Sequence, residues 1–109
     1  MVDNAQFEVI RLIDAQPNVS QRQLAHLLGW SVGKANYCLR ALVQKGFVKV
    51  ENYHNSQNKV AYLYLLTPQG VTVKSQMLRH FLARKMEEYD ELRAEIEALR
   101  KEGGDPERG

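Results

Sequence analysis

SQRQLAHLLGWSVGKANYCLRALVQKG, residues 20–46, is the stretch whose reading decides the fold. Ser20 has Gln23 three residues on, the spacing of a capping box, which satisfies two amides that a helix start leaves without partners. Leu24, Ala25, Leu27 and Leu28 then supply a buried face. Gly29 stops this helix, because glycine enters the left-handed conformation cheaply. Trp30 follows, and Ser31 is an N-cap for a further helix that runs to about Lys45 and closes at Gly46. Two helices joined by a short, glycine-containing turn are predicted.

The flanks extend this layout. Upstream, a helix is expected from about Asp3 to Ala15, with Phe7, Ile10 and Ile13 on one side, Val9 and Leu12 beside them, and Pro17 and Asn18 ending it. Downstream, Phe47–Tyr53 alternates Val48 and Val50 with Lys49 and Glu51. Val60–Leu66 places Tyr62 and Tyr64 on one face and Ala61, Leu63 and Leu65 on the other. The polar run His54–Lys59 between them makes a β-hairpin with an exposed tip. Thr67 caps a last helix with Pro68 at its first position. The order is that of a winged helix-turn-helix: mainly α with a small β-hairpin wing, followed by a long C-terminal coiled-coil helix. The expected boundaries are 1–67 for a DNA-binding domain, 68–102 for a dimerisation helix and 103–109 for a flexible tail.

With Leu39 at the centre of the buried face of the third helix, Val32, Ala35, Leu42 and Val43 fall near the same side. The opposite side carries Gly33, Lys34, Tyr37, Arg40 and Gln44, with Asn36 on the flank. Gly33, Asn36, Tyr37 and Arg40 form one stripe that suits a major groove. Asparagine can pair with an adenine edge, and tyrosine offers an apolar ring and a hydroxyl. Glycine inside a helix costs about 1 kcal/mol against alanine, which makes sense where backbone must approach another surface. Gln21, Arg22, Ser31 and Lys34 are the candidates for phosphate, since helix N-termini favour anions. Asn55, Asn58 and Lys59 at the hairpin tip could enter a minor groove.

Charge supports a polyanionic partner. Ser20–Lys59 holds Arg22, Lys34, Arg40, Lys45, Lys49 and Lys59 against Glu51 alone, whereas Val71–Gly109 is nearly balanced. The positive field therefore sits on one part of the chain, although the total is only +2. A lone cysteine, Cys38, excludes an internal disulfide and a zinc ribbon, and it reads as a small packed thiol. Met1–Phe7 lacks a basic region and a long apolar run, and no stretch could span a bilayer. A cytoplasmic protein without membrane contact is expected. His26, His54 and His80 lie in separate elements with no metal-ligand spacing, Asp90 and Glu91 lie on a solvated helix, and there is no glycine-rich phosphate loop. No catalytic site, metal or cofactor is expected.

The last helix carries a heptad seam through Leu78, Leu82, Tyr89, Leu92, Ile96 and Leu99, with a polar break at Lys85 and Met86 alongside. With Leu82, Tyr89 and Ile96 at a, Glu88 and Glu95 at g meet Arg93 and Arg100 at e across a parallel two-stranded interface. An antiparallel pair would set glutamate against glutamate. The seam spans about 33 Å at the helical rise. A parallel homodimer would match two reading helices to a palindromic site.

The runs Asn18–Ala25, Gly33–Leu42, Lys45–Val48, Asn55–Tyr62, Leu65–Gly70, Arg84–Met86 and Glu95–Leu99 resemble the MarR-type winged-helix regulators, and more closely a subgroup associated with exopolysaccharide biosynthesis. That resemblance implies a sequence-specific regulator of transcription that binds double-stranded DNA, acting on polysaccharide genes. Many proteins of this type hold small phenolic ligands between the DNA-binding lobe and the dimer helices. This chain is short and lacks their long N-terminal dimerisation helix, which argues against a small-molecule effector. The alternative function is a winged-helix adaptor that recruits another protein through its coil.

Overall fold

The structure, a computed structural model, describes residues 2–54, 57, 60–104 and 106. Four helices and a hairpin follow in the order α1 (Asn4–Ala15), α2 (Gln21–Leu28), α3 (Val32–Gln44), β1 (Val48–His54), β2 (Val60–Leu66) and α4 (Pro68–Gly103). The chain falls into two compact units, Met1–Gln76 and Met77–Gly109. The first takes in the opening turns of α4.

Each helix of the first unit begins where a side chain can cap it. The Asp3 carboxylate accepts from the Gln6 amide at 2.7 Å, and the Gln6 side chain accepts from the Asp3 amide at 3.2 Å. Ser20 and Gln23 form the expected reciprocal pair. The Ser31 hydroxyl accepts from the Lys34 amide at 3.1 Å. Gly29 takes a left-handed φ of 68°, and this lets the chain leave α2 and enter α3 within three residues.

α3 packs against α1, α2 and β1, while β2 packs on α1 and α2. Ile10, Ile13, Leu24, Leu39, Leu42, Val9 and Val48 are the largest fully buried side chains. The buried face of α3 is Ala35, Cys38, Leu39 and Leu42; Val32 and Val43, expected there, are exposed. The face is centred about 50° away from Leu39, between Leu39 and Cys38, at 100° per residue. Leu27 of α2, expected on the buried face, is likewise exposed, and so is Val50 of β1, although Val48 two residues earlier is buried. Both belong to elements too short for sequence periodicity to locate the centre of the buried face.

The hairpin is antiparallel, with Val48 opposite Leu66 and His54 opposite Val60. The Tyr64 amide donates to the Val19 carbonyl at 3.2 Å, so the segment before α2 adds one bridge to β2. At the start of α4, the Thr67 hydroxyl donates to the Gly46 carbonyl at 2.6 Å and accepts from the Gly70 amide at 3.0 Å. A Cβ on Gly70 would stand 2.0 Å from the Phe47 carbonyl oxygen. Glycine is required there because helix and backbone touch directly. Lys74 pairs with Asp14 and ties the opening of α4 to α1.

In the second unit the helix exposes Leu78, Leu82, Met86, Tyr89, Leu92, Ile96 and Leu99. Its ion pairs include Lys85 with Glu88 at 3.1 Å and Arg100 with Glu97 at 3.3 Å, each within one turn.

Candidate nucleic-acid interface

The rotation of α3 determines which side chains it presents. With the buried face centred between Leu39 and Cys38, Gly33, Tyr37, Arg40 and Gln44 point almost directly away from the core. They are all exposed, Tyr37 to 75%. Together with Asn36 and Ala41 they line one surface depression. The stripe expected from the spacing is thus contiguous in space.

Its members differ in how they are held. A Cβ on Gly33 would meet only the Ser31 hydroxyl oxygen, at 4.0 Å. Among the described residues nothing demands glycine there. Asn36 is half-buried, and its side-chain N–H donates to the Gln21 side-chain oxygen at 3.0 Å. This link crosses the turn between α2 and α3. The sequence offers no signal for it, because it joins residues fifteen apart that only the turn brings together.

The expected phosphate contacts gather at the openings of α2 and α3. Gln21 and Arg22 are the first two residues of α2. Ser31 caps α3, and its oxygen is engaged by the Lys34 amide. The Lys34 ammonium lies 4.2 Å from the centre of the Trp30 ring, a cation–π contact that braces the side chain without neutralising it. Asn55, Asn58 and Lys59, the candidate wing contacts, lie outside the described residues.

The positive charge is more localised than the sequence suggests. Lys49 is paired with Glu51 at 3.5 Å. Lys45 donates to the Gln6 side-chain oxygen at 2.9 Å and ties the end of α3 to the start of α1. Arg22, Lys34 and Arg40 make no ion pair among the described residues. Arg40 belongs to the stripe, Lys34 lies in the first turn of the same helix, and Arg22 follows Gln21, which bonds Asn36. Cys38 lies inside α3, away from this surface; burial pushes its thiol pKa up, Asp3 adds to the rise and Lys34 opposes it. A thiol held in its neutral form is a weak nucleophile. No group of three or more metal-binding side chains occurs among the described residues, and no described helix is long and apolar enough to cross a membrane.

Residues 2–49 match the family described as winged helix-turn-helix DNA-binding, a non-enzymatic class. Similar folds include a mutant of MepR from S. aureus, at 16% identity and a TM-score of 0.68, covering 93% of this chain and 78% of that one. A MarR family transcription regulator gives 18% identity and a TM-score of 0.71, covering 92% of this chain and 66% of the other. FabT of Streptococcus pneumoniae, solved in complex with DNA, gives 21% identity and a TM-score of 0.63 over 92% of this chain and 72% of its own. No curated protein sequence matches the chain. The fold of this chain is that of MarR-family regulators, a winged helix-turn-helix with a hairpin wing and a long C-terminal helix.

Proposed function

We propose that this protein is a transcriptional regulator that binds duplex DNA as a homodimer and reads a palindromic site with the Gly33, Asn36, Tyr37 and Arg40 stripe of α3. The observation that carries this reading is the stripe itself: Gly33, Tyr37 and Arg40 exposed and Asn36 half-buried along one surface of a capped helix, with Arg40, Lys34 and Arg22 making no ion pair among the described residues. Gln21, Arg22, Ser31 and Lys34 would hold phosphates beside it, and Asn55, Asn58 and Lys59 would reach the minor groove. The resemblance of its sequence runs to exopolysaccharide-associated regulators makes genes of exopolysaccharide biosynthesis the proposed targets.

The homodimer rests on α4. Seven large apolar side chains exposed along one helix make a surface that monomeric proteins rarely leave to water. The pairs Lys85–Glu88 and Arg100–Glu97 within the single helix are surface contacts worth about 0.2–0.5 kcal/mol each. They are weak enough to yield to Glu88–Arg93 and Glu95–Arg100 pairs across a parallel coil, where burial of the apolar seam supplies the larger driving force.

Titration of duplex DNA against ionic strength tests the function. The affinity should fall steeply between about 50 and 200 mM salt, as phosphate contacts release counterions. Undetectable duplex binding at low salt would reject this reading and favour a winged-helix adaptor for another protein.

A further inference from the structure

We infer that Gln21 is a positioning residue for base reading: it anchors the Asn36 amide so that the remaining N–H and carbonyl oxygen of Asn36 select an adenine. This rests on the DNA-reading function proposed above and adds which base is read and what holds its reader in place.

Asn36 stands apart from the rest of the stripe. Gly33, Tyr37 and Arg40 are exposed, whereas Asn36 is half-buried and hydrogen-bonded to another helix. An asparagine amide has two N–H donors and an oxygen with two lone pairs. The Gln21 side-chain oxygen takes one of those donors. What remains is one N–H and the oxygen, the combination that pairs with N7 and the 6-amino group of adenine. The terminal torsion of an unheld asparagine is broad and two-fold, so a free amide would present its two ends almost interchangeably. An acceptor at Gln21 favours the orientation with nitrogen inward. The immobilisation of the side chain also precedes binding, which lowers the entropy lost on contact.

Gln21 has a second group to spend. Its side-chain NH2 is not engaged in the bond to Asn36, and it sits at the first position of α2, where a phosphate is favoured. One residue then couples the backbone register to the base reader. The two roles separate chemically: replacing Gln21 by glutamate keeps the acceptor for Asn36 and removes the donor for phosphate.

The test uses the full-length protein and the duplex it selects most often from a randomised pool. Single-base replacements of that duplex are titrated by fluorescence anisotropy with the wild type, Asn36→Ala, Gln21→Ala and Gln21→Glu. Asn36→Ala should erase the preference for adenine at one position in each half-site, a loss on the order of tenfold to a hundredfold in discrimination. Gln21→Ala should lower discrimination at that same position and leave the others unchanged. Gln21→Glu should bind every duplex more weakly yet keep the wild-type discrimination ratio. If Gln21→Ala weakens all duplexes equally and keeps the adenine preference, Gln21 is a phosphate contact only and the inference fails. If Gln21→Glu loses discrimination as fully as Gln21→Ala, the acceptor is not what positions Asn36. An Asn36→Ala variant that keeps every base preference overturns the inference through its base reader, while wild-type binding to duplex DNA still upholds the proposed function.

Discussion

At the scale of single residues, Gly33 separates stability from recognition. It is exposed in the first turn of α3, and a Cβ there meets nothing closer than 4.0 Å. Gly33→Ala should therefore raise stability, by up to about 1 kcal/mol from helix propensity, while weakening duplex binding if backbone approaches DNA at this point. Thermal melting and anisotropy titration on one preparation measure both effects; unchanged affinity would remove Gly33 from the interface. Cys38 makes a prediction about pH. Its folded-state pKa is raised by burial. The stability contributed by the neutral thiol is thus complete below the pKa of the unfolded chain, about 8.5, and is lost as pH rises from there through the folded value. Between pH 7 and about 9.5, denaturant midpoints should fall further for the wild type than for Cys38→Ala, which has no thiol to ionise. Equal slopes would show that burial does not perturb the thiol.

At the scale of elements, the first unit depends on how α4 begins. Thr67 bonds Gly46 and caps α4, while Gly70 rests against the backbone of Phe47. Gly70→Ala would force a methyl group into a carbonyl oxygen, which must move with β1 or with the helix. Overpacking of this kind costs about 1–3 kcal/mol, and the variant should show a correspondingly lower denaturation midpoint with an unchanged helix content. A variant as stable as the wild type would mean that the close approach is not maintained in solution. The propensity of Pro68 and Thr67 for a helix start is legible in sequence. The need for glycine three residues after Thr67 is not, since it arises from contact with a residue more than twenty positions earlier.

At the scale of the whole molecule, the issue is whether two copies act together. A single chain leaves the seam from Leu78 to Leu99 exposed along α4. Leu92→Asp combined with Ile96→Asp should give monomers in sedimentation and weaken binding to a palindromic duplex, with little change for a single half-site. Dimers that persist in this double variant would exclude the coil as the interface. Because the substitutions lie in the second unit, Met77–Gly109, the winged-helix unit should keep its own melting transition.

The order of elements, the caps at Ser20, Ser31 and Thr67, the left-handed Gly29 and the outward face of α3 at Gly33, Tyr37 and Arg40 follow from sequence alone, because each depends on residues within one or two turns of one another. Tertiary structure decided what depends on distant partners. It turned the buried face of α3 towards Cys38, already legible as a packed thiol, so that Val32 and Val43 came out. It paired Lys49 and engaged Lys45, leaving Arg22, Lys34 and Arg40 without an ion pair among the described residues. It joined Gln21 to Asn36, and it pressed Gly70 against Phe47. Helix caps and periodicity are local free energies written in neighbouring residues, whereas the orientation of a face is set by whichever elements pack against it.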